Sequence, residues 1–142
     1  MKVMITGHRP QRIKGREKEI RKWIEEQLEE LQPHEAINGM AQGVDQIFAF
    51  VAKEKGIQLV NVYPHFRSNF NQDEEYLNEG ALIVFYAEKY NKKNYTERDK
   101  KMVDAADVCL VVWDGIPAGG AYYTMRYAEE QGKEIRYFPW DS

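Results

Sequence analysis

Cysteine is almost missing from this chain: Cys109 is the only one in 142 residues. An intrachain disulfide is therefore impossible, and the lone thiol sits in an apolar run, where it reads as a small buried hydrophobe. That usage points to a reducing, cytoplasmic setting. The three histidines are scattered, so the spacing of a metal site is absent and neither metal nor cofactor is expected. Long hydrophobic runs are missing too. Nothing approaches the roughly 18 residues that span a bilayer. The short apolar start lacks the basic and cleavage-site pattern of a secretory leader. No membrane partner is expected. Positive charge is not in excess either: the net charge of −3 argues against a nucleic-acid partner. Walker A loops, dinucleotide fingerprints and serine nucleophile elbows are all absent.

What is present is one pattern used three times. An apolar run from Val108 to Trp113 stops at Asp114-Gly115, passes through Gly119-Gly120, and enters a helical pattern. The same order of strand, glycine loop and helix occurs at Gly7-His8-Arg9 and between Gly39 and Gly43. Such loops present backbone N–H groups and a helix N-terminus to an anion, usually phosphate. The periodicities predict strands over 2–6, 35–38, 58–63, 81–87, 108–113 and 134–138, the 81–87 run being readable as a buried strand or as a helix. They predict helices over 15–31, 44–55, 73–79, 96–106 and 120–131, with 90–95 as a loop. Alternating strands and helices imply an α/β Rossmann-like fold in three layers, with a mainly parallel sheet. The length suits a single domain over 1–142, long enough to bury roughly 68–70% of its unfolded surface.

In such sheets ligands bind beyond the carboxyl ends of the strands, at the point where strand order reverses. Gly7, Gly39, Gly43, Gly119 and Gly120 would let backbone approach phosphates, or would only make tight turns. Arg9 could pair bidentately with phosphate. His8 is an acid, base or donor. Asp45 and Asp114 could accept from ribose hydroxyls; Asp45 could equally cap its helix and Asp114 its turn. Arg98 reads as a ligand contact or a paired surface charge. Thr124 could donate to phosphate. A basic run of Lys2, Arg9, Arg12, Lys14, Arg16, Lys18, Arg21 and Lys22 would favour a phosphorylated ligand or simply form a solvated helix face.

The ordered set Thr6-Gly7-His8-Arg9-Pro10, Gly39 to Asp45, Tyr95 with Arg98-Asp99, and Trp113-Asp114-Gly115 with Gly119-Gly120 and Thr124 resembles the SLOG superfamily over essentially the whole chain. The superfamily takes its name from the DNA-processing protein A and the "lonely guy" phosphoribohydrolases. The chain looks closest to a small bacterial and phage branch. The resemblance implies a Rossmann-like fold that binds nucleotides or nucleotide-derived ligands. Two departures stand out: Arg98-Asp99 where the family often has Arg-Asn, and Ala121 where it often has Thr. The phosphoribohydrolase catalytic Glu corresponds to Arg126, so that activity does not carry over. The DNA-binding role of the larger processing protein does not carry over to a mildly acidic chain either.

The leading expectation is therefore a protein that senses, carries or sequesters an ADP-ribose- or NAD-like molecule, with a homo-oligomer possible. One alternative is a hydrolase of an N-glycosidic or phosphate bond, with Asp45 or Glu129 as acid–base group. Another is an interaction protein that needs no ligand.

Overall fold

The computed structural model describes residues 1–141. Strands and helices alternate along the chain: β1 (Lys2–Gly7), α1 (Pro10–Ile13), α2 (Glu17–Leu31), β2 (Glu35–Asn38), α3 (Val44–Glu54), β3 (Gln58–Tyr63), α4 (Gln72–Asn78), β4 (Leu82–Phe85), α5 (Lys93–Ala105), β5 (Val108–Val112), α6 (Gly120–Glu130) and β6 (Glu134–Tyr137). The strands form one sheet in the order β4-β3-β2-β1-β5-β6, and every pairing is parallel. The chain thus has the expected three-layer Rossmann-like architecture, and strand order reverses between β1 and β5.

Alternation along β1 sorts the two layers. Val3 and Ile5 point to one face and pack with Ile20, Ile24 and Leu28 of α2 and Val44 and Phe48 of α3. Met4 points to the other and packs with Met102 and Val103 of α5 and Ala128 of α6. Cys109 of β5 lies buried on this second face. The spacing of Ile20, Ile24 and Leu28 makes α2 amphipathic. Its end is set by Gln32, which turns left-handed at φ 45° while its N–H bonds Leu28 O, just before Pro33.

Four local differences from the periodicity have physical causes. Gly15 turns at φ +83°, so α2 begins at Glu17. The short α1 has proline at its start and too few residues to show a period. The loop expected over 90–95 gives way to helix at Lys93: the first turn of α5 is polar and shows no apolar period, yet it buries Asn94, whose amide donates to Lys89 O at 3.0 Å. The run at 81–87 is a strand only over Leu82–Phe85, and it is not buried. It forms the sheet edge, with Leu82 53%, Ile83 41% and Val84 43% exposed.

Candidate functional site

The first two glycine loops lock onto each other. A Cβ on Gly7 would lie 2.5 Å from the Val44 side chain, and one on Gly43 would lie 2.4 Å from His8 O. Gly43 also holds φ +97°, a conformation that glycine adopts without strain. The N–H of Val44 donates to His8 O at 3.1 Å. These two glycines let backbone meet protein.

Arg98 closes the strand ends from the other layer. Its Nη1 donates to Gly39 O and to Val62 O, each at 2.8 Å, and its Nε donates to Asp99 at 2.8 Å. The residue is only 6% exposed. A Cβ on Gly39 would meet its guanidinium at 2.8 Å. Asp45, in the first turn of α3, accepts from the N–H of Ala41 at 3.2 Å. Burial pushes the Asp45 carboxyl up to about 7, against the pull of Arg98. Burial raises Asp99 as well, again opposed by Arg98. Thr124 donates its hydroxyl to Asp99 at 3.3 Å.

The reversal point between β1 and β5 is filled by protein. Asp114 accepts a two-pronged contact from Arg12, Nε at 2.8 Å and Nη2 at 2.6 Å, and also takes the N–H of Ile116. Burial alone would raise its pKa, but Arg12, the Ile116 N–H and His8 together hold it below the ordinary carboxylate range. His8 is 4% exposed, and its Nε2 accepts from the N–H of Asp114 at 3.0 Å. Burial lowers the His8 pKa, so the neutral ring suits that acceptor role. His8 and Asp114 tie the loop after β5 to the loop after β1.

The open space lies beside that point, beyond the ends of β2 and β3. A cleft of ≈ 510 Å³ is lined by Arg9, Gly39, Tyr63, His65, Arg67, Glu74, Tyr95 and Arg98, among others. Arg9 is exposed at its rim and makes no side-chain hydrogen bond among the described residues. Arg67 forks onto the buried carboxylate of Glu74 at 2.8 and 3.0 Å, and the hydroxyl of Tyr63 donates to Glu74 at 3.0 Å. Glu74 in turn closes a capping box with Asn71 that starts α4. His65, Tyr90 and Tyr95 form a cluster of rings, with His65 5.3 Å from Tyr90 and 6.1 Å from Tyr95. The Nδ1 of His65 is buried without a hydrogen-bond partner.

The predicted residues are therefore divided. Arg9, Gly39 and Arg98 share the cleft, and Asp45 lies beside Arg98. The third glycine loop opens elsewhere: Gly120 and Thr124 line a separate groove of ≈ 310 Å³ between α5 and α6, with Asp99 and Arg126. Gly119 sits at φ +92°, and a Cβ there would meet Arg12 at 2.9 Å. Glu129 is on the surface of α6, bonded by Tyr137 and paired with Arg126. Asp45 and Glu129 thus belong to different regions. Arg12, Tyr63, His65, Arg67 and Glu74 were not picked out as site residues. Only the Asn71 to Glu74 spacing carries a local signal for one of them, the capping box. Of the basic run, Lys2, Arg12, Arg16 and Arg21 are engaged in ion pairs, and Arg9 reaches the cleft.

Comparison with known proteins agrees with this architecture. The family model for DNA recombination-mediator protein A matches residues 2–142. DNA processing protein A from Streptococcus pneumoniae superposes with a TM-score of 0.75 at 18% identity, covering 97% of this chain and 50% of that one. DNA processing protein A from Helicobacter pylori, described for its single-stranded DNA binding mode, gives 0.74 at 21% identity, covering 98% and 65%. The protein TM1055 gives 0.63 at 19% identity, covering 94% and 71%. The chain thus spans between half and two thirds of the two DNA-processing proteins. No curated protein matches at the sequence level.

These findings correct two expectations. The small nucleotide-derived ligand at converging glycine loops does not stand: the family is one of DNA recombination mediators, and the loops lock against protein or open apart. The argument against nucleic acid falls with it. Net charge is a sum over the whole surface, whereas the cleft brings together three arginines and one glutamate. The resemblance read from the Thr6 to Thr124 motifs included the DNA-processing protein A within its superfamily. By the match over 2–142, the chain belongs to the DNA recombination-mediator protein A family.

Proposed function

We propose that this chain binds single-stranded nucleic acid, DNA above all, in the cleft beyond β2 and β3, and does so in the cytoplasm. The observation that carries the reading is the pairing, in one cleft, of an uncommitted cation with a cluster of rings: Arg9 at the rim, and His65 and Tyr95 in the wall. Single-stranded binders combine positive charge that follows the backbone with aromatic faces on which bases stack. Arg9 meets a phosphate. Tyr95 and His65, with Tyr90 beside them, receive a base. A concave site of this kind takes splayed bases and rejects a duplex, whose bases are already stacked inward.

The other residues support that site. Arg98 and Gly39 shape its floor, and Asp45 balances Arg98. Gly7 and Gly43 set the approach of the Arg9 loop, while His8 and Asp114 anchor it to β5. Gly119, Gly120 and Thr124 extend the surface toward the second groove. Of the cleft-lining residues only Glu74 is acidic, and it is paired with Arg67. Likeness to the Helicobacter pylori protein supports the choice of single strands. A mobility-shift experiment with matched single-stranded and duplex oligonucleotides tests it. Retardation of the single strand alone, lost in Tyr95→Ala, is expected. Equal retardation of both forms contradicts the reading.

A further inference from the structure

Three large rings of this chain stand outside both layers of the core. Trp113 and Tyr122 lie with ring centres 5.6 Å apart, and Tyr122 and Tyr123 at 5.3 Å. Trp113 and Tyr122 are half-buried, yet neither packs on the buried clusters of the two layers. Tyr123 is 62% exposed. Ile116, whose C=O accepts from the Trp113 indole N–H, is exposed beside them. An exposed group of apolar side chains that the core does not use marks a contact surface.

The sheet brings this surface to the same edge as the cleft. Gly7 of β1 pairs with Val112 of β5, so Trp113 leaves the sheet level with His8. Met4 pairs with Ile37 of β2, and Asn38 with Asn61 of β3, so the four strands end within two residues of one another. The cleft beyond β3 and β2, the Arg9 loop after β1 and the rings after β5 therefore follow in order along one edge. Three strand spacings separate β3 from β5, about 14 Å in all. The start of α5 joins the two regions from one side. Tyr95 and Arg98 line the cleft, while Thr96 and Asp99 line the groove that Tyr123 also lines. Lys100 and Arg126 stand in that groove against Asp99 and Glu130, and Asp99 is already bonded by Arg98 and Thr124.

We infer that Trp113, Tyr122 and Tyr123 form a second stacking platform for the same single strand, which places one base at Tyr95, passes its phosphates over Arg9 and lays further bases on these rings. The inference rests on the nucleic-acid reading of the cleft and extends it from one base to a path. Every base has a π-face, so rings of this kind hold a strand without reading its sequence. At the stacked repeat of about 3.4 Å per nucleotide, about four nucleotides cover the distance from β3 to β5. The site therefore takes an unpaired run of about that length or more. A duplex, whose bases are turned inward, offers these rings nothing.

Two labelled probes test the platform on the full chain by fluorescence anisotropy: a thymidine octanucleotide, long enough to reach both groups of rings, and an abasic octanucleotide, which has the phosphates without the bases. A base stacked on an aromatic ring contributes roughly 5- to 150-fold in affinity. Tyr122→Ala and Tyr123→Ala are each expected to lose an amount in that range on the thymidine strand. Tyr123→Phe, which keeps the ring, is expected to recover what Tyr123→Ala loses. On the abasic strand the two alanine variants are expected to bind as the native chain does, because no base is there to stack. Equal losses on both strands overturn the platform, since the rings would then act through the fold or the phosphates. Undiminished binding of the thymidine strand by both alanine variants overturns it too. If Tyr95→Ala still weakens that strand, the cleft reading survives and the rings are left to a protein partner. A native chain that holds neither strand at low salt overturns the platform and the cleft reading together.

Discussion

The guanidinium of Arg98 occupies the space that a side chain at position 39 would need: a Cβ on Gly39 would lie 2.8 Å from its Nη1. Arg98 cannot easily yield, because it bonds Gly39 O, Val62 O and Asp99 at once. Gly39→Ala should therefore destabilise the chain by about 1–3 kcal/mol, the range for overpacking a filled site. Arg98→Met should cost about 3–5 kcal/mol, because it leaves buried carboxyls without their counter-charge. Urea denaturation of both single variants and the double variant checks this. The double variant should be less destabilised than the sum, since the two losses share one cause.

Asp45 makes stability depend on pH. Its folded pKa of about 7 stands above the ordinary value of 3.8, so between those values the native state holds the proton more tightly than the unfolded chain does. The contribution is fully present below about pH 4 and is lost as pH rises through 7. Asp45→Asn keeps the acceptor for the Ala41 N–H and removes the titration. The stability of Asp45→Asn relative to the native chain should thus rise from pH 4 to pH 8, by an amount on the order of a few kcal/mol. Chemical denaturation at several pH values gives the curve. A constant difference would remove Asp45 as the titrating group.

Much of the sheet is legible in the sequence. Residues 35–38 and 58–63 are short segments with apolar centres, set off by Pro33, Gly39, Gly56 and Pro64, and they are β2 and β3. β4 misleads because an unbroken apolar run in a parallel sheet is normally covered on both faces, and pattern alone does not reveal an edge. The cleft is less legible for a different reason. Gly39 and Arg98 are 59 residues apart, and Arg12 and Asp114 are 102 apart. Single residues such as Arg9 and Asp45 stand out by their neighbours, but their partners are chosen by topology. A net charge of −3 likewise hides three arginines that line one cleft.

The Arg12 fork on Asp114 fastens the loop that follows β5. Asp114→Asn should weaken this contact and leave the Ile116 turn in place. Arg12 is about a third exposed, so a modest loss of about 1 kcal/mol is expected. Hydrogen exchange should quicken over 114–118 and stay unchanged in β2. Nucleic-acid affinity should fall less than in Arg9→Ala, because Asp114 fastens the loop and Arg9 meets phosphate.

Salt dependence tests the central claim most directly. Fluorescence anisotropy of a labelled single-stranded oligonucleotide, titrated with the full chain between about 50 and 200 mM salt, gives the affinity and its slope. The account predicts saturable binding that weakens as salt rises. Arg9→Ala should lose about 1.5–3 kcal/mol, or roughly 10- to 150-fold. The slope should fall by about 0.7, one single-strand phosphate contact. Arg9→Lys should recover part of the loss, because lysine keeps the charge without the planar fork. Absence of binding at the lowest salt, or an affinity and slope untouched by Arg9→Ala, would contradict it.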